Sequence, residues 1–123
     1  MRAVNGSVMD ECNDVTVSSN TGFVYTTGYF TASADFPNGV NTLMVTSFNN
    51  CAYVAKYNSH GELIWLKTLT SPNGKSKGNG VDIDADDNVI VVGGFDGTID
   101  SDPADSTEII QTATNSDAFI RKL

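Results

Sequence analysis

Residues 14–36, DVTVSSNTGFVYTTGYFTASADF, return as residues 80–102, GVDIDADDNVIVVGGFDGTIDSD. Gly28 recurs as Gly93 and Phe30 as Phe95, 65 residues on. Residues 51–58, CAYVAKYN, return as residues 117–123, DAFIRKL, so that Tyr53 recurs as Phe119 and Lys56 as Lys122, 66 residues on. A single inserted residue accounts for the difference. Self-similarity at a fixed period bears on architecture before any single motif does, because each copy is a supersecondary unit that cannot bury its apolar faces alone. Roughly three or more repeats normally make a stable core, and two are legible here, so the chain is expected to fold with company.

Each copy reads as strands and turns. No window carries apolar residues at helical spacing over ten or more positions, and Gly, Asn, Asp or Ser interrupts every apolar run. The first strand places Val15 and Val17 on one face, as Val81 and Ile83 do in the second copy, since alternate residues share a face. A turn follows at Asn20-Thr21-Gly22 or Asp86-Asp87-Asn88, residue types that tolerate left-handed dihedrals. The second strand, residues 23–28 or 89–93, is apolar on both sides, which indicates cover on both faces. Phe36-Pro37 and Asp102-Pro103 are expected in a loop outside the sheet or on its edge, because proline has no N–H to give a ladder. Residues 42–47 and 108–113 are expected to pair only loosely. A third strand covers residues 52–57 and 118–123. In the first copy the turn Asn58-Ser59-His60-Gly61 leads to a fourth strand, residues 62–68, containing Trp65. The second copy stops before its equivalent.

Four antiparallel strands per unit, each unit covered on both faces by neighbours, describe β-propeller blades. The runs Asn79-Gly80-Val81-x-Ile83-Asp84-x-Asp86-x-Asn88-Val89, Gly93-Gly94-Phe95, Asp100-x-Asp102-Pro103, Asp117-Ala118-Phe119-Ile120-x-Lys122-Leu123 and Gly61-Glu62-Leu63-Ile64-Trp65 resemble the bacterial β-propeller repeat known as the SBBP repeat. The resemblance covers everything after the opening dozen residues and speaks to fold far more than to activity. The first copy departs from the pattern at Thr21-Gly22, Cys51 and Phe36-Pro37, all outside the apolar positions. The expected fold is all-β: four-stranded antiparallel propeller blades, one complete and a second lacking its fourth strand. Residues 1–13 form an N-terminal segment in which Arg2-Ala3-Val4 is a candidate closing strand. Residues 14–69 form the first blade, 70–79 a loop rich in Gly, Ser and Lys, and 80–123 the second blade.

Composition narrows function. Fifteen acidic residues against seven basic ones give a net charge of −8, with a sequence pI near 4.2. Nucleic-acid binding is disfavoured, because phosphate affinity needs clustered Lys and Arg. No run approaches the roughly 18 apolar residues of a membrane span. An acidic, Lys-poor chain rich in Asn, Ser, Thr and Gly is expected outside the cell or at its surface.

Candidate sites are few. Cys12 and Cys51 are candidates for one disulfide, and Asn5-Gly6-Ser7 fits the glycosylation pattern. Asp82, Asp84, Asp86, Asp87 and Asn88 place oxygen groups as calcium loops do, but lack the turn glycine and closing carboxylate, so an acidic hairpin turn is the expectation. Asp96, Asp100, Asp102 and Asp105 form a second acidic group, of which the first copy keeps only Asp35. No cofactor is expected beyond this weak calcium signal. The sole histidine, His60, sits in a turn without a catalytic partner, so no enzyme is expected. Trp65, Tyr29, Tyr53 and Phe95 read as packing between blades rather than a sugar platform.

The function expected is therefore a non-catalytic structural or protein-interaction module. It joins further copies, or the remaining blades of a longer chain, into a ring or filament by strand exchange. The assembly edge is expected at Ala118, Phe119, Ile120 and Leu123, since an unpaired strand invites addition. The alternative is a fragment of a larger propeller that binds or acts on carbohydrate.

Overall fold

The computed structural model describes residues 3–38, 41–100 and 110–123, and every regular element among them is a strand. Sheet A contains β1 (Asn5–Gly6), β2 (Asp10–Val17), β3 (Val24–Asn38), β4 (Asn41–Tyr57) and β5 (Leu63–Leu69). Sheet B contains β6 (Ser76–Ile83), β7 (Val89–Asp100) and β8 (Ile110–Lys122). All pairing is antiparallel, in the order β2-β3-β4-β5 and β6-β7-β8, with β1 beside the far half of β3.

The repeat survives as register. Cys12 pairs with Gly28 and Gly28 with Tyr53; at the equivalent places Gly78 pairs with Gly93 and Gly93 with Phe119. Even the irregularities are duplicated. One bulge sets Asn13 out of the β2–β3 ladder and Asn79 out of the β6–β7 ladder. A second interrupts pairing after Phe30 in sheet A and after Phe95 in sheet B. The recurring Gly28 and Gly93 follow from close approach: a Cβ there would meet the carbonyl oxygen of Glu11 or Lys77 on the neighbouring strand.

The turns form where expected, by the same chemistry with different groups. Ser18 Oγ accepts from the amides of Asn20 and Thr21, and Gly22 takes the left-handed conformation at φ 73°. In sheet B the Asp84 carboxylate accepts from the amides of Asp86 and Asn88, with Asp87 at φ 59°. Asn58 Oδ1 caps the third turn by accepting from the amides of His60 and Glu62.

The expected loop around Phe36-Pro37 is instead a hairpin arm. Residues 32–38 continue β3 and pair with residues 41–47 of β4, Pro37 lying opposite Thr42. The apolar pattern explains the correction: the arm brings Ala34, Phe36 and Val45 into one cluster with Phe30 and Tyr53. Phe36 packs edge-on to Tyr53 with centroids 4.9 Å apart. Two boundaries also shift, because β2 begins at Asp10 inside the expected N-terminal segment and β6 at Ser76 inside the expected loop.

Alternation along β4 builds two cores. Ala52 and Val54 face sheet B, where they meet Val81, Val89, Val91, Phe95, Ile99 and Phe119. Cys51, Tyr53, Ala55 and Tyr57 face the other way, with Phe30, Phe36 and Leu63. Strand β6 lies across β2, β3 and β4, and side chains of β7 and β8 complete the contact between the sheets.

Candidate functional site

The interface between the sheets is apolar at its centre and hydrogen-bonded at its margin. Ser76 Oγ, fully buried, accepts from the Ala52 amide at 2.9 Å and donates to the Leu69 carbonyl. Asn13 Nδ2, on its bulge, donates to the Gly78 carbonyl at 2.8 Å. Asp14 Oδ2 accepts from the Val81 amide at 2.9 Å, and Ser18 Oγ donates to the Asp87 carboxylate. Tyr25 and Trp65 close one end, 6.3 Å between centroids.

The expected assembly edge is where the topology leaves sheet B open. β4 is paired on both sides, by β3 and β5, whereas β8 is the edge strand and pairs with β7. Within β8, Phe119 turns toward sheet A and is buried, while Ala118 and Ile120 are exposed and Leu123 packs at the rim of the core. Of the candidate closing strand at the N-terminus, Arg2 lies outside the described residues and Val4 packs on sheet A's outer cluster, beside Asn5 and Gly6, which pair with Asp35 and Ala34.

The acidic turn is engaged internally. Asp84 accepts from Asn88 Nδ2 and from Lys122 Nζ at 2.7 Å. The Lys122 ammonium, with the Asn88 and Asp86 donors, holds its carboxyl well below the usual carboxylate range. Asp87 receives Ser18, and Asp82 receives the Ile83 amide. In the second acidic group, Asp96 accepts from the Lys75 amide; the side chain of Asp100, and Asp102 and Asp105 entirely, lie outside the described residues. His60 is exposed in its turn, and Asn5 is exposed on β1.

Cys12 and Cys51 are both free thiols, the first exposed and the second buried. Strand β3 lies between them, Cys12 opposite Gly28 and Cys51 opposite Phe30. Two strand spacings, about 9.6 Å, exceed the roughly 7 Å that a disulfide spans between Cα atoms. Burial pushes the Cys51 thiol and the Tyr53 and Tyr57 phenols up. Tyr29, Tyr53 and Phe95 are buried packing groups, and Trp65 is half-buried against Tyr25.

On the far face of sheet A a cavity of about 440 Å³ is lined by Val4, Asp10, Cys12, Val24, Tyr53 and Tyr57, among others. Burial pushes the Asp10 carboxyl up, partly offset by a hydrogen bond from the Gly6 backbone. Its Oδ1 is buried with no hydrogen-bond partner. Asp10 and Ser76 escape a sequence reading because the opening strand residues, DECN and SKGN, share only the asparagine. The 66-residue step from Asn13 to Asn79 is the signal that aligns them.

Against known proteins, the chain matches no family model, no curated protein and no solved structure.

Proposed function

We propose that this chain is a pair of β-propeller blades of the SBBP type, working as a non-catalytic interaction module outside the cell or at its surface. The reading is supported by two antiparallel meanders with one register and one pair of bulges, stacked face to face. One observation carries the functional part. Residues 52–57 of β4 receive β5, while the equivalent residues 118–123 of β8 form an edge. An edge in a register already used once for strand addition is a site for a fourth strand. The acidic, Lys-poor composition supports an extracellular setting.

Fusing a second copy of residues 58–70 after Leu123 tests the reading. The added turn and strand are expected to pair with β8 as β5 pairs with β4, raising the melting temperature and protecting the amides of residues 118–122 from hydrogen exchange. An unchanged melting temperature with unprotected amides would sink it.

A further inference from the structure

Register-equivalent positions in the two sheets differ sharply in cover. On sheet A, Tyr25, Ala52 and Val54 are buried beneath sheet B, at 1%, 0% and 0% exposure. Their equivalents on sheet B, Ile90, Ala118 and Ile120, share the face that points away from sheet A, with Ile120 79% exposed. Val92 joins them at 38%. The reverse holds on the other half of the contact: Val81 on β6 is 5% exposed, but its equivalent on β2, Val15, is 56% exposed, and Val17 is 57% exposed. The molecule thus leaves exposed Val15 and Val17 on sheet A and Val92 and Ile120 on sheet B, counterparts of residues from both halves of its internal interface, while Tyr53 and Phe30, counterparts of Phe119 and Phe95, are already buried within sheet A.

The cavity on sheet A fits this scheme. Val24 and Tyr57 line it, and their equivalents Val89 and Leu123 line a smaller space of about 210 Å³ between the sheets, which Tyr25, Lys56 and Trp65 enter from sheet A. Asp10, which lines the cavity on sheet A, is the register equivalent of Ser76 on sheet B.

We propose that a second copy of this chain seats the outer face of its sheet A, around Val15, Val17 and the Asp10 cavity, on the outer face of sheet B, around Val92, Ala118 and Ile120. The contact is head to tail. It rests on the blade reading above and adds the partner and the face. One position changes the spacing. Gly78, where a Cβ would run into the Thr27 hydroxyl, is replaced by Cys12. Copies therefore stand farther apart at that end than the two sheets do, with Cys12 against Val92.

Sedimentation of the full chain and two single-face variants tests the proposal. Ile120→Arg blocks the sheet B face and Val15→Arg the sheet A face; both residues are exposed, and circular dichroism checks that each variant folds. The wild type is expected to associate with rising concentration, each variant alone to stay monomeric, and an equal mixture to form a heterodimer, because each retains the face the other has lost. The association should strengthen as salt rises to about 0.15 M, since screening relieves repulsion between acidic copies. A wild type that stays monomeric, or a mixture of variants that does, overturns the proposal. If the strand fusion at Leu123 nevertheless stabilises sheet B, the blade reading stands and only the second copy is lost.

Discussion

Gly78→Ala should loosen the contact between the sheets, and its size follows from what a methyl group would touch. A Cβ at this position would strike the Thr27 hydroxyl and lie 3.2 Å from both the amide nitrogen and the carbonyl oxygen of Gly28. Thr27 cannot yield cheaply: it is fully buried and donates to the Tyr53 carbonyl at 2.7 Å. Overpacking a core by a methyl costs about 1–3 kcal/mol, and losing a buried hydrogen bond adds about 1 kcal/mol. Gly78→Ala is therefore expected to cost about 2–4 kcal/mol in urea unfolding. Thr27→Ala alone should cost about 1–2 kcal/mol, since it removes the buried bond to the Tyr53 carbonyl. The double variant gives the new methyl its space, apart from the Gly28 contacts, so its cost should fall at least about 1 kcal/mol below the sum of the single costs. Cys12→Ala, at the equivalent but exposed place in sheet A, should stay within about 0.5 kcal/mol of wild type. A Gly78→Ala cost under about 0.5 kcal/mol, or strict additivity in the double variant, would refute the packing argument.

Three further outcomes are expected. Ser76→Ala leaves the Ala52 amide and the Leu69 carbonyl without their shared partner and should cost about 2–4 kcal/mol, read in the same unfolding assay. Asp84 titrates below its unfolded value, so its contribution is present above the ordinary carboxylate range near pH 4 and is lost as pH falls through its folded value. Asp84→Asn should accordingly flatten the acid limb of a stability profile, and an unchanged limb would show that other carboxylates set it. Ala32 sits at φ 65°, where the second copy has Gly97 at 71°. Left-handed strain of about 1–2 kcal/mol, less the extra chain entropy of glycine, predicts that Ala32→Gly raises stability by about 0.5–1 kcal/mol, visible as a higher melting temperature.

The strands and turns common to both copies were legible because their residues are informative alone. Val15, Val17, Val81 and Ile83 alternate, Gly22 and Asp87 mark turns, and residues 23–28 are apolar on both sides. The hairpin arm was not, because Pro37 reads as a ladder breaker until its place beyond the reach of β1 is known, and because Phe36 finds Tyr53 only in three dimensions. The strand starts at Asp10 and Ser76 were hidden for a different reason: on one sheet the position is covered and takes a small hydroxyl, on the other it faces a cavity and takes a carboxylate. The cysteines illustrate the limit of spacing as a guide. Both belong to one sheet, but an intervening strand sets the distance between them.

Apart from β1, every strand pairs with its neighbour in sequence, and that has a kinetic meaning. Short closures form each meander, and helper contacts between distant segments are not needed to nucleate it. The long-range event is the docking of sheet B on sheet A, whose hydrogen bonds from Asn13, Asp14 and Ser18 span 65 to 69 residues. Sheet B has three strands, and its buried face, with Val89, Val91 and Phe119, has sheet A as its cover. Each meander can thus form from its own local pairings, and neither buries its apolar face until the other docks on it.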